Sequence, residues 1–157
     1  MDSAGREADA YHWNDAYHWN DWNECLFLAK RERKPVIAYF TDRYRLHWTL
    51  DYPLFIPQIR RHLAQDWICV IVSIDPGYPS VTFNGKQMTT VGLAHYFHVD
   101  KTPAWLFIDK EGKPIQTVTG FMREKTFGEL LDYMENEVYA KNISIEEYRK
   151  TLKAADR

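Results

Sequence analysis

The stretch Thr102-Pro103-Ala104-Trp105-Leu106-Phe107-Ile108, followed by Asp109-Lys110-Glu111-Gly112-Lys113, carries the most information about the fold. Its apolar run has the length of a buried strand, and Glu111-Gly112-Lys113 has the composition of a turn. The residues Ile115-Gln116-Thr117-Val118 then predict a strand that pairs back as a hairpin. An antiparallel hairpin therefore closes the sheet to which this stretch belongs.

Two further apolar runs precede this hairpin, each followed by a helical pattern. Residues 36–40 (Val-Ile-Ala-Tyr-Phe) and residues 67–74 (Trp-Ile-Cys-Val-Ile-Val-Ser-Ile) predict strands covered on both faces. A helix is predicted from Trp22 up to Pro35, and another begins with Thr89 or Thr90 as its N-cap. Helices between the first three strands predict right-handed crossovers, so the fold class is α/β with a mixed central sheet flanked by helices.

The C-terminal third predicts two more helices. The longest amphipathic helix is marked by Phe127, Leu130, Leu131, Met134 and Val138, and the capping box Ser144-x-x-Glu147 opens an additional C-terminal helix. At the other end, residues 10–21 read Ala-Tyr-His-Trp-Asn-Asp twice. We interpret residues 1–21 as an aromatic N-terminal extension that contains a tandem duplication, and residues 22–157 as the domain. The extension either packs against the domain's own apolar surface or binds a partner.

Composition excludes several classes of function. The 157 residues contain 20 Lys and Arg and 22 Asp and Glu, so the net charge of −2 argues against binding of nucleic acid. No apolar run is long enough to span a membrane, and the first residues lack the apolar centre of a signal peptide. We therefore expect a soluble protein without a targeting signal in this sequence, although a removed leader would leave the same sequence. Two cysteines cannot build a multi-disulfide framework or a zinc ribbon.

Several short motifs follow one another along the chain: Ala29-Lys30, Lys34-Pro35-Val36, Thr102-Pro103, Phe107-Ile108-Asp109-x-x-Gly112-Lys113 and Gly120-Phe121, with Tyr133 and Tyr139 after them. In their order and spacing they resemble the thioredoxin superfamily, in particular the extracytoplasmic branch that includes the sulfur-oxidation-associated thioredoxins. The resemblance implies a thioredoxin-like fold, a cis peptide bond before Pro103, and contact between this loop and a bound substrate chain. It also implies a periplasmic location if a leader has been removed.

The sequence departs from the family at the redox motif. Family members carry Cys-x-x-Cys at the start of the helix after the first core strand, where the helix N-terminus lowers the pKa of the first thiol. Tyr44 and His47 hold those positions here, and a shift of one residue would place Arg45 and Trp48 there. Neither register supplies sulfur. Thiol–disulfide exchange needs an attacking thiolate and a resolving partner, so this activity does not transfer to these positions.

The remaining cysteines and the histidines leave two alternatives open. Cys69 lies within an apolar strand, where a free thiol behaves as a small hydrophobe, whereas Cys25 in the first helix could be an exposed thiol. A thiol–disulfide oxidoreductase that uses Cys25 alone is therefore one alternative. The other is a metal or haem site formed by His47 and His98 near Pro103, although no histidine spacing in the chain matches a known ligand signature.

The predicted function is that of a thioredoxin-like protein without redox activity, which acts as a protein-binding, accessory or chaperone-like module. Its binding surface comprises Arg43, Tyr44, Arg45, His47, Trp48, Thr102 and Pro103. Tyr, Trp and Arg are the residues that most often anchor interfaces, and the partner is predicted to be a protein or peptide. We assign no catalytic residue, no metal ligand and no cofactor.

Overall fold

The predicted helices and strands occur in the predicted order, and a short two-stranded hairpin that this order did not include lies before the helix capped by Thr89. The predicted long helix ends at Glu135, so Val138 lies in a separate 3₁₀ helix and not in the predicted one. The structure, a computed structural model, describes residues 22–42, 51–75, 77 and 80–155. The extension 1–21 and its repeat lie outside the described residues. In chain order the elements are α1 (Trp22–Glu32), β1 (Val36–Thr41), a 3₁₀ helix (Tyr52–Phe55), α2 (Pro57–Asp66), β2 (Ile68–Ser73), β3 (Val81–Phe83), β4 (Lys86–Met88), α3 (Thr90–Tyr96), β5 (Ala104–Ile108), β6 (Pro114–Thr119), α4 (Glu124–Glu135), a second 3₁₀ helix (Val138–Lys141) and α5 (Ile145–Ala155).

The central sheet is mixed, as predicted, with the strand order β2-β1-β5-β6. Strand β1 pairs in parallel with β2, whereas β5 is antiparallel to both β1 and β6. The predicted crossover into the third strand is therefore wrong. The chain leaves β2 and enters β5 at the same edge of the sheet, because the β3–β4 hairpin and α3 do not carry it back to the opposite edge.

Both faces of the sheet are covered, which explains the continuous apolar strands. Ile37 and Tyr39 belong to one core cluster, together with Phe127 and Leu130 of α4. Val36, Ala38 and Phe40 belong to the other cluster, together with residues of α1 and α3. Successive side chains of a strand point to opposite faces, so a strand between two helical layers needs an apolar residue at every position.

Local signals in the sequence account for several element boundaries. The side chain of Thr89 accepts a hydrogen bond from Gly92 N at 3.0 Å, which identifies Thr89 as the N-cap of α3. The capping box of α5 is confirmed, since Ser144 Oγ accepts from Glu147 N at 3.1 Å and Ser144 N donates to Glu147 Oε1 at 3.3 Å. Among the described residues, no helix is long and apolar enough to span a bilayer.

Candidate functional site

One edge of the sheet collects the ends of all four strands and the connections that follow or precede them. The register pairs Thr41 with Ser73, Phe40 with Ala104, and Ala104 with Thr119. Strands β1, β2 and β6 therefore end at this edge, and β5 begins there. We call it the proline edge and define it by residues 41–42, 73–75, 102–103 and 120–121.

The loop before β5 is held firmly at this edge. The Thr102–Pro103 peptide bond is cis, Pro103 is buried and Thr102 is half-buried. Pro103 O accepts a hydrogen bond from Gly120 N at 2.7 Å, and Gly120 O accepts from Trp105 Nε1 at 3.2 Å. Gly120 has a φ of +93°, a conformation that side chains with a Cβ rarely adopt. The loop and the end of β6 thus form one hydrogen-bonded unit.

An exposed aromatic side chain projects beside this unit. Phe121 follows Gly120 directly and is 62% exposed, whereas the next residue, Met122, is buried in the core. A large exposed aromatic ring on a rigid support is a common anchor for a partner chain. Sequence analysis used Gly120-Phe121 only as part of the family resemblance and did not include Phe121 among the binding residues.

A mainly apolar cavity of about 330 Å³ lies at the same edge, between the end of β2, α3 and the proline loop. Thr102 lines this cavity, so one predicted site residue belongs to both the proline loop and the cavity wall. The cavity is lined by Ile74, Val91, Ala94, His95, Val99, Asp100, Lys101 and Thr102. Cavities of this size accept one side chain or a small ligand.

A buried polar contact supports the edge from beneath. Asp51, which sequence analysis missed, is fully buried, and Tyr39 donates its hydroxyl proton in a hydrogen bond to Asp51 Oδ1. The Tyr39 ring packs against Trp105, with 4.2 Å between ring centroids. The carboxylate therefore ties the start of the 3₁₀ helix Tyr52–Phe55 to the centre of the sheet. An acidic residue just before the apolar run Tyr52-Pro53-Leu54-Phe55 is the signal that could have identified it.

Five of the seven predicted binding residues lie outside the described residues: Arg43, Tyr44, Arg45, His47 and Trp48. Thr102 and Pro103 are the two that the structure places, and both lie on the proline edge.

Neither cysteine provides an accessible thiol. Cys25 and Cys69 are both completely buried, and they lie in different core clusters. The alternative in which Cys25 is an exposed thiol is wrong, because Trp22, Cys25 and Ala29 share the buried face of α1. Burial raises the pKa of Cys25 to about 12 and raises the pKa of Cys69 well above its ordinary value. These two thiols are the opposite of the low-pKa, exposed thiol that disulfide exchange requires.

The described histidines do not converge on one site. His95 lines the cavity at the proline edge, whereas His98 lines another cavity with Leu106 and residues 114–117. His62 contacts two carboxylates, Asp66 at 3.2 Å and Glu135. Within the part of the chain that the structure describes, no group of three or more His, Cys, Asp or Glu residues could hold a metal ion. His12, His18 and His47 lie outside this part.

Comparison with known proteins identifies the fold. A family model described as a thioredoxin-like domain matches residues 56–135, half of the chain. A thioredoxin-fold protein from Helicobacter pylori superposes with a TM-score of 0.63 at 22% identity, and the match covers 90% of this chain and 94% of that one. A thioredoxin from Thermus thermophilus gives a TM-score of 0.54 at 24% identity and covers 72% and 82% of the two chains.

A third solved structure, that of DsbH oxidoreductase, gives a TM-score of 0.55 at 19% identity over 74% of this chain and 82% of that one. At these identities the superpositions show a common fold. None of the curated proteins compared with the chain matches it in sequence. The thioredoxin-like α/β fold expected from the sequence is thereby confirmed.

Proposed function

The chain belongs to the thioredoxin-like domain family, and on this basis we propose that it is a member without redox activity that binds an extended segment of a partner protein at the proline edge. In this role it serves as an accessory or chaperone-like module. The observation that carries the proposal is the burial of both thiols in a chain with only two cysteines. Disulfide exchange requires an attacking thiolate that reaches its substrate, and neither thiol meets this requirement.

The proline edge supports the binding role. It combines a rigid loop at Pro103, the exposed ring of Phe121 and an apolar cavity that reaches Thr102. We propose that Tyr44 and His47 occupy the positions of the two family thiols and contact the partner, together with Arg43, Arg45 and Trp48. Aromatic and guanidinium groups in place of thiols favour contact over covalent exchange.

We also propose that the chain belongs to the extracytoplasmic, sulfur-oxidation-associated branch of the family, and that it acts outside the cytoplasm once a leader has been removed. The short motifs from Ala29-Lys30 to Gly120-Phe121 support this assignment. The near-neutral net charge supports a protein partner rather than nucleic acid.

Two matched variants test the binding role. Phe121 and Phe27 are equally exposed, at 62% and 64%, but Phe27 lies on α1 and outside the proline edge. Peptides selected from a displayed random library against the whole chain should bind Phe121→Ser at least tenfold more weakly, and should bind Phe27→Ser as they bind the wild type. Equal effects of the two substitutions, or none from Phe121→Ser, would contradict the proposal.

An insulin-reduction assay with dithiothreitol tests the loss of redox activity. We expect no acceleration over the reductant alone. Turnover at the level of a Cys-x-x-Cys thioredoxin would refute the proposal. If such turnover disappeared in Cys25→Ser and persisted in Cys69→Ser, it would establish the single-thiol alternative. Stoichiometric calorimetric binding of zinc, copper or haem would instead support the histidine-based alternative.

A further inference from the structure

A cavity lined mostly by cations lies at the edge of the sheet opposite the proline edge. Its volume is about 370 Å³. The register pairs Val36 with Ile108 at this end, so the segment that leads into β1 and the turn that leaves β5 meet here. The cavity is lined by Lys30, Arg31, Arg33, Lys110 and Glu111.

Two rigid elements supply these cations. Lys30 lies in the last turn of α1, and its Cε would be 3.8 Å from a Cβ built on Gly112, so its stem packs on the β5–β6 turn. The turn is fixed by the buried Asp109, whose Oδ1 accepts from Glu111 N and Lys113 N at 2.9 Å each. The positive groups are therefore held by a helix end and a braced hairpin rather than by loose loops.

The carboxylate of Glu111, which lines the cavity with the four cations, and the neighbouring carboxylates neutralise only part of this charge. Glu32 pairs with Arg31 at 3.3 Å and with Lys34 at 3.4 Å. Lys110 pairs with Glu137 at 3.7 Å. Lys30 and Arg33 pair with no carboxylate of the described residues. A helix C-terminus favours nearby cations, which accounts for Lys30 and Arg31, whereas Lys110 lies on the β5–β6 turn and not on this helix.

Arg33 occupies a position where a glycine would be expected. It has a φ of +57° directly after α1, and Lys34 N donates to Ala29 O at 3.0 Å, which closes the helix. Helices commonly end in this way with glycine, because a Cβ is unfavourable in the left-handed region. The chain places a guanidinium here instead, at the wall of the cationic cavity.

We propose that this cavity binds a phosphate group, either as inorganic phosphate or as the phosphate ester of a small molecule. Guanidinium groups donate paired hydrogen bonds to phosphate oxygens, and lysines add point charge. Among the residues that the structure describes, no aromatic residue lines the cavity, so these residues offer recognition of the phosphate without a stacking surface for a base. The site lies apart from the proline edge and does not depend on the function proposed for it.

Titration of the whole isotope-labelled chain with inorganic phosphate and, separately, with glycerol phosphate tests the site. We expect saturable amide shifts at Lys30, Arg33 and Gly112 with one or both ligands, and no such shifts with sodium chloride at equal ionic strength. The ligand that saturates the site at the lower concentration distinguishes the free ion from the ester. Shifts that fail to saturate, or that chloride reproduces, would overturn the proposal.

Arg33→Gly separates binding from folding. The substitution should weaken phosphate binding at least fivefold, and it should raise the melting temperature by about 2 °C because it removes a side chain from the left-handed region. Lys110→Gln should also weaken binding, whereas Lys125→Gln, an exposed lysine on α4, should leave it unchanged. Unchanged phosphate affinity in Arg33→Gly and Lys110→Gln would refute the site.

Discussion

The buried thiol of Cys25 gives a quantitative test of the redox assignment. Burial raises its pKa from 9.0 to about 12, so its thiolate fraction at neutral pH should be about 1000-fold below that of an ordinary cysteine. A chromogenic disulfide reagent should therefore react with the native protein at least about 1000-fold more slowly than with a short cysteine-containing peptide at the same pH. In guanidinium chloride both cysteines should react at the rate of the peptide.

Variants with a single cysteine show which thiol gives each measured reaction rate. Cys69→Ser leaves only Cys25, and its native thiol should remain unreactive; Cys25→Ser leaves only Cys69, with the same expectation. A fast stoichiometric reaction of the native Cys69→Ser protein would show that Cys25 is accessible, and the argument for a protein without redox activity would fail.

The same shift predicts how stability depends on pH. The folded-state pKa of Cys25 lies above its unfolded value, so the thiol stays protonated in the folded protein while the unfolded chain loses the proton near pH 9.0. Its contribution to the free energy of unfolding is present below pH 9 and is lost as the pH rises toward 12. Cys25→Ser should flatten this part of the stability profile in urea titrations at alkaline pH.

Two further substitutions test the packing around the sites. Asp109→Ala removes a buried carboxylate that accepts hydrogen bonds from two backbone N–H groups, and it should lower the free energy of unfolding by about 2 kcal/mol in urea denaturation. A loss below about 0.5 kcal/mol would contradict the role of Asp109 in holding the β5–β6 turn. Arg149→Gln removes the ion-pair partner of the buried Glu129, which lies at 2.8 Å, and should lower the free energy of unfolding by about 1 kcal/mol in the same assay. The exposed Lys150 provides the control variant, Lys150→Gln. A smaller loss in Arg149→Gln than in this control would contradict the role of the pair in docking α5.

The strands and their turns were predictable because their signals are local. Residues 36–40 and 104–108 are apolar at every position, and both are covered by helices on two faces. The direction of β5 was not predictable, since it depends on which edge the long connection after β2 reaches. No local pattern encodes that choice.

The candidate site was predicted only in part, because exposure depends on tertiary packing. Thr102 and Pro103 follow from the position of the loop before β5, whereas the exposure of Phe121, next to the buried Met122, depends on how the segment before α4 packs. The burial of Cys25 had a signal in the spacing of Trp22, Cys25 and Ala29, which share one helical face. That spacing predicts a buried thiol once this face of α1 is known to pack against the sheet.

The two proposed sites can be occupied together because β1 separates them. Its six residues span about 17 Å from Val36, beside the cationic cavity, to Thr41 at the proline edge. The two ends also differ in chemistry: Phe121 and an apolar cavity mark one, and Lys30, Arg33 and Lys110 line the cavity at the other. A protein segment and a phosphate group therefore compete neither for space nor for the same side chains.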